Sequence, residues 1–321
     1  MRAIPFLLLA LLATSSFVSP PDPHAPVRAT PVTLDPADPA RTSLGSLRFL
    51  AGWVLDSARP EFGGISSLHV RDGHVLALSD TGAVFRFTIR RDGRITDTRF
   101  GKLPAGPGAG DSKVDRDSES LTVDPATGRA WVGFERHNAI WRYSPALDRG
   151  EAHAEPEPMH DWPWNGGPEA LVRMRDGRFI VICEDPKGAS DMHEALLFAS
   201  DPTGPGAEPI RFLYLAPPGF RVTDATQLPD GRLLILHRDF SLERGVSAAL
   251  AIVDAGGIKP GAVVTGQTIA RFAAPLTLDN MEGLSAESVG GKTILWLASD
   301  DNFSPLQRTL LMKFELLETA K

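Results

Sequence analysis

The sequence predicts an all-β fold, a single β-propeller of five four-stranded blades, and three observations carry that reading. Five segments can be laid over one another, each contains a hairpin signal at the same place, and each holds three or four short apolar runs. Six blades are the alternative, the sixth being degenerate, although no segment stands out to form it.

The segments open at Gly64-Ile65-Ser66-Ser67-Leu68, Ser118-Glu119-Ser120-Leu121, Pro168-Glu169-Ala170-Leu171, Thr223-Asp224-Ala225-Thr226 and Met281-Glu282-Gly283-Leu284. A small or acidic residue thus enters each first strand. Turn residues follow at Asp72-Gly73, Asp124 to Gly128, Asp176-Gly177, Asp230-Gly231 and Gly290-Gly291. Hairpins favour these because glycine accepts a positive φ.

The second strands, for example Phe179-Ile180-Val181-Ile182 and Leu233-Leu234-Ile235-Leu236, are continuous apolar runs suited to burial on both faces. Third strands read Val84 to Phe87, Ile140 to Tyr143, Ala195 to Phe198, Leu250 to Val253 and Leu310 to Phe314, and more variable fourth strands follow. The fifth unit reaches the end of the chain without a fourth strand, whereas Leu47 to Trp53 precedes the first unit with nothing to pair with. That strand is therefore expected to complete the last blade and remove its open edge.

Around this domain, assigned to residues 45–318, the sequence suggests two appendages. Arg2, the apolar run Ile4–Ala13 and the small polar residues after it read as a signal peptide over residues 1–19, too short for a membrane-spanning helix. Residues 20–44 are rich in proline and are expected to form a disordered linker. The mature protein is then expected to be a periplasmic or secreted monomer without a membrane span. Its single cysteine, Cys183, excludes an internal disulfide and every multi-cysteine metal site, and its strand-like flanks suggest a core thiol. A net charge of −7, or −8 without Arg2, argues against nucleic acid as a partner.

Antiparallel pairing places the start of strand one and the end of strand two on one face of the disc. Ser66, Glu119, Glu169, Asp224 and Glu282 at the entries, and Asp80, Glu135-Arg136, Glu184-Asp185, His237-Arg238-Asp239 and Asp300-Asp301-Asn302 at the exits, should ring one mouth of the central channel. Carboxylates so close together repel, and a divalent cation relieves the repulsion. Oxygen-only donors point to calcium, with Glu119, Glu169, Asp224, Glu282, Asp300 and Asp301 as candidate ligands. The acidic run Asp111, Asp115, Asp117 lies in the loop before blade two, without the spacing of an EF-hand. Acidic and hydroxyl residues at strand ends also serve simply to bond turn amides.

Arg116, Arg136, Lys187, Arg238 and Arg308 interrupt the acidic ring, and arginine grips phosphate oxygens bidentately. A small-molecule phosphate ester is the expected ligand. Glu119, Glu169, Glu282 and His237 are the candidate catalytic groups, His237 as a proton carrier.

Asp279-Asn280-Met281-Glu282-Gly283-Leu284, Ser299-Asp300-Asp301-Asn302-Phe303-Ser304 and Gln307-Arg308-Thr309-Leu310-Leu311 together resemble the phytase-like family labelled "esterase-like activity of phytase". The resemblance extends over roughly Phe62 to Leu316. It implies a bacterial exported propeller, distantly similar to calcium-dependent phytases, that hydrolyses phosphate or other esters. No Gly-x-Ser-x-Gly elbow occurs, so a serine-hydrolase mechanism has no motif. A calcium-dependent lactonase or carboxyl-ester hydrolase is a variant of the same idea. The competing class is a non-catalytic binding propeller whose metal only fixes the blades.

Overall fold

A computed structural model describes residues 26–317, Asp111 and Ala189 excepted; the signal-peptide reading and Asp111 lie outside the described residues. Three strands precede the repeats: β1 (Val27–Pro31), β2 (Ser43–Leu44) and β3 (Leu47–Ser57). Blade one is β4 (Ile65–Arg71), β5 (His74–Ser79), β6 (Ala83–Ile89) and β7 (Ile95–Lys102). A short helix, α1 (Lys113–Arg116), leads into blade two: β8 (Ser118–Val123), β9 (Ala130–Phe134), β10 (Ala139–Tyr143) and β11 (Gly150–Ala154). Blade three is β12 (Pro168–Arg173), β13 (Phe179–Pro186), β14 (Met192–Phe198) and β15 (Pro209–Leu215). Blade four is β16 (Arg221–Gln227), β17 (Leu233–Ser241) and β18 (Gly245–Val253); then β19 (Val263–Thr265) crosses to pair in parallel with β15, and β20 (Gln267–Phe272) closes the blade. Blade five is β21 (Asn280–Val289), β22 (Lys292–Asp300) and β23 (Thr309–Leu316).

The five sheets are the five predicted blades. As the sequence predicts, β3 supplies the fourth strand of blade five, with Leu310 opposite Val54 and Leu316 opposite Leu47. The ring is thus closed by main-chain hydrogen bonds between the two ends of the described chain.

Residues 27–44, expected to be a disordered linker, are ordered. β1 runs antiparallel along β3 from Val27 opposite Ser57 to Pro31 opposite Trp53. Val27 and Leu34 are buried, and the Leu34 carbonyl accepts a bond from the Thr277 amide. The buried Asp35 carboxylate accepts from the Ala37 and Asp38 amides and pairs with Arg41. Composition misled here because an edge strand takes its stability from its neighbour's backbone and tolerates proline at its end.

Between neighbouring blades the apolar strands pack into a chain of cores. One joins Leu68 and Phe85 of blade one to Trp296 and Leu311 of blade five; another joins Val172 and Ile182 of blade three to Ala225 and Ile235 of blade four. Trp131 and Trp296 are buried, as their strand positions suggest. Cys183 is also buried, with its thiol pushed up by desolvation, so it is a core residue.

Candidate functional site

Each innermost strand carries a β-bulge near its start, and the bulge decides what faces the channel. The register of first against second strand slips by one residue at Ser66, Glu119, Glu169, Thr223 and Glu282. An extra residue there breaks the two-residue alternation and re-aims one side chain per blade. In blades two, three and five that side chain is a glutamate, and Glu119, Glu169 and Glu282 line one cavity of about 270 Å³. In blades one and four it is a short hydroxyl that bonds the next blade instead: Ser66 Oγ donates to the Ser118 carbonyl at 2.6 Å and Thr223 Oγ1 to that of Met281 at 3.1 Å.

The equivalent of the glutamates in blade four is therefore Thr223. Asp224, taken from the sequence as a metal ligand, stands one residue further on. It is buried between blades, where its carboxylate accepts from the amides of Ala225 (2.7 Å) and Leu284 (2.7 Å). It does not line the cavity, and burial pushes its pKa well up.

A second ring comes from the second strands, one residue beyond the pair that stands next to each bulge. Ser79, Phe134, Cys183, His237 and Ser299 are equivalent by register, so the next residues, Asp80, Glu135, Glu184, Arg238 and Asp300, are equivalent too. All five line the same cavity, one from each blade. His237 sits one position out of phase. Its ring is buried, bonded to the Tyr214 hydroxyl at 2.8 Å and the Ala249 carbonyl at 3.1 Å, and desolvation lowers its pKa to about 3. The histidine expected to carry protons at the mouth is a neutral core residue.

Loops complete the cavity. Ser112 caps α1 by accepting from the Asp115 amide, which places Lys113 over the mouth, where it pairs with Asp80 and lies 3.6 Å from Asp117. Asp117, just past that helix, is buried; one carboxylate oxygen takes Arg136 Nε, while Oδ1 has no hydrogen-bond partner. Arg136 adopts a left-handed φ of 61° and stacks on Trp164, 4.1 Å from its ring. Arginine seldom takes that backbone conformation, so the pairing and stacking must hold it there. Asn165 and Asn302 fill the rim.

Eight carboxylates and three cations, Lys113, Arg136 and Arg238, thus share one small cavity, a surplus of five negative charges when all are ionised. The strain is visible in proton affinity. Burial first, then the charges of Asp117 and Glu184, raise Glu135 to about 7; burial and Glu282 raise Asp300 to about 8. Glu119 and Glu169 are pushed well above the usual range by burial and by their carboxylate neighbours. Arg238 offsets part of this for two of them: it lies 3.0 Å from Glu184 and 3.4 Å from Glu282, and donates to Asn280 at 2.6 Å.

The donor set fits a hard cation. Asp117, Glu119 and Glu135 can bring one oxygen each within 4.8 Å of one another, and so can Glu135, Glu169 and Glu184, with Glu135 common to both groups. Asp117 Oδ1, buried without a hydrogen bond and with only Lys113 Nζ at 3.6 Å, is an acceptor of the kind a cation satisfies. All-carboxylate donors favour calcium or magnesium over zinc.

The remaining candidates from the sequence stand apart from this cavity. Asp301 is a clamp: Oδ1 accepts from the Gly64 amide at 2.8 Å and Oδ2 from the Thr309 hydroxyl at 2.8 Å, tying blade five to the entry of blade one. Arg308 pairs with Asp279 at 3.2 Å and bonds the Leu278 carbonyl. Arg116 points back into its own loop, onto the Pro107 carbonyl. Lys187 is exposed, with Glu194 at 3.9 Å. Lys113, Trp164 and Asn165 escaped the sequence reading because they lie in long loops with no repeat to set their phase.

Among solved structures, the chain is similar to the α-L-arabinofuranosidase PaAbf62A from Podospora anserina in complex with cellotriose. The identity is 13%, with 80% of this chain and 93% of that one covered and a TM-score of 0.47. It is also similar to hydrazine synthase from Kuenenia stuttgartiensis, at 12% identity over 80% and 74% of the two chains, with a TM-score of 0.37. No curated protein matches. The phytase-like family model described as "Esterase-like activity of phytase" matches residues 60–303, which takes in every residue of the two rings, and the chain belongs to that family.

Proposed function

We propose that the protein is a metal-dependent hydrolase of phosphate esters, with calcium the favoured ion. The observation that carries this reading is the pair of three-carboxylate groups sharing Glu135, set beside three cations in one cavity. Asp117, Glu119, Glu135, Glu169 and Glu184 would hold the metal. When bound, it would neutralise phosphate charge and lower the pKa of a water molecule.

The chain's own residues supply the rest. Arg238 and Arg136 grip phosphate oxygens and Lys113 adds a mobile positive charge above them. Trp164 keeps the Arg136 guanidinium flat and aimed. Asp300 lies outside both metal groups, and burial and the Glu282 charge raise its pKa in the metal-free protein, which suits it to protonate the leaving alcohol oxygen. The N-terminal residues 1–19 support export, and N-terminal sequencing of the protein recovered from the producing cells tests that part.

For the activity, the full chain is stripped with chelator, reloaded with calcium, and assayed on phosphomonoesters, phosphodiesters, phytate and aryl acetates. Calcium-restored turnover of a phosphate ester is the expected result. Turnover of aryl acetates alone would replace this reading with a carboxyl-ester hydrolase. Tight calcium binding with no turnover of any substrate would leave a binding propeller.

A further inference from the structure

Beside the charged cavity lies a second one of about 650 Å³, of very different character. Phe240, Val246, Leu276, Leu278 and Leu306 supply most of its exposed surface, with Arg244, Asp279, Ser304 and Gln307 among the polar residues between them. The two cavities share Arg238 and Asn302 in their linings, so they adjoin at that edge. Phe240 and Leu306 are 62% and 92% exposed: Phe240 stands at the end of β17, paired with Val246 of β18, and Leu306 lies in the β22–β23 loop. Isolated exposed apolar residues need no explanation, but a concave apolar wall opening onto a charged site is the usual form of a small-molecule pocket, and its volume falls in the usual range.

From this adjacency we infer that the substrate is an amphiphilic ester: its phosphate enters the charged cavity and its alcohol part, an alkyl chain or aryl ring, lies in the groove of Phe240, Leu276, Leu278 and Leu306. The inference rests on the phosphate-ester reading above and names the substrate class. Arg238 stands at the junction, where the phosphate joins the organic part. In the reaction water oxygen forms the new P–O bond, the bond from phosphorus to the alcohol oxygen breaks, and the alcohol leaves with a proton. A substrate such as phytate, polar over its whole surface, gains nothing from the groove.

A homologous series tests this. With calcium-loaded protein, kcat/KM is measured for ethyl, butyl and hexyl phosphate. Burial of each methylene is worth about a fourfold gain, so the series should climb by about that factor per carbon. In the double variant Phe240→Ser, Leu306→Ser, whose substitutions lie at exposed positions, the climb should fall below about twofold per carbon. Thermal melting confirms that the variant is folded. A flat series in the native protein, or an unchanged climb in the double variant, overturns the inference and leaves the hydrolase reading standing. If no alkyl phosphate is turned over, calorimetry with butyl- and hexylphosphonate decides the groove: tighter binding of the longer chain, lost in the double variant, upholds it, and equal affinities overturn it.

Discussion

Glu135 is the point at which charge repulsion and metal binding act in opposite directions, and Glu135→Gln separates them. Without metal, its folded-state pKa is raised from 4.5 to about 7. A carboxylate that keeps its proton longer in the folded than in the unfolded state loses stability as pH rises between those two values. At 1.36 kcal/mol for each factor of ten, the native residue costs about 3 kcal/mol above pH 7 and nothing well below pH 4.5. Glutamine has nearly the same shape and no charge, so in chelator at pH 8 the variant should be the more stable protein. For a domain of this size about 3 kcal/mol corresponds to a rise in Tm of about 6 °C. In calcium most of that advantage should disappear, because Glu135 belongs to both ligand groups. A ligand present at 100 times its Kd stabilises by about 2.7 kcal/mol, and a variant that binds it a hundredfold more weakly forfeits most of that. The assay is thermal unfolding of both proteins in chelator at pH 4.5 and pH 8, and in calcium at pH 8. A Tm in chelator that is unchanged at pH 8, or raised equally at both pH values, refutes the account of repulsion; an undiminished calcium shift in the variant refutes the assignment of ligands.

Other substitutions probe the rest of the site. Arg238→Met should lower turnover at least a hundredfold and destabilise the metal-free protein by about 3 kcal/mol, because Glu184 and Glu282 lose their shared counter-charge; chelator melts and kcat/KM measure both effects. His237→Phe should lower stability by about 2 kcal/mol through the stranded Tyr214 hydroxyl yet leave the pH profile of kcat unmoved, and a shifted profile would return the histidine to the mechanism. Asp224→Ala removes the acceptor of the Leu284 amide, so it should cost about 2 kcal/mol with calcium affinity intact by calorimetry.

The blades were legible because repetition gives many chances to see one pattern: five hairpin signals at equivalent places fix phase even where single strands are ambiguous. The same repetition brought Glu119, Glu169 and Glu282 together correctly. It failed in blade four, where Thr223 and Asp224 stand side by side and an acidic side chain looked like the better match; the bulge that selects Thr223 leaves no mark in composition. His237 and Arg238 show the same limit of one residue, since strand alternation sends the first to the core and the second to the cavity. Lys113, Trp164 and Asn165 reach the site from connections that occur once each, and a unique loop offers the reader no second copy for comparison. The ordered residues 27–44 were hidden for a different reason: their partner, β3, lies nearby in sequence, but main-chain pairing does not depend on apolar periodicity.

The clasp between β3 and β23 has a consequence for how the molecule assembles. The strand synthesised ahead of all five repeats waits for the strand synthesised after them, so four blades can form while the fifth still lacks its outer edge. Until then the first and last blades have no lateral seal, and the exposed edge of β23 is open to a strand from another chain. Deleting residues 43–57 would therefore be expected to leave the β23 edge bare, so that copies pair edge to edge through it and a self-contained ring becomes linked copies.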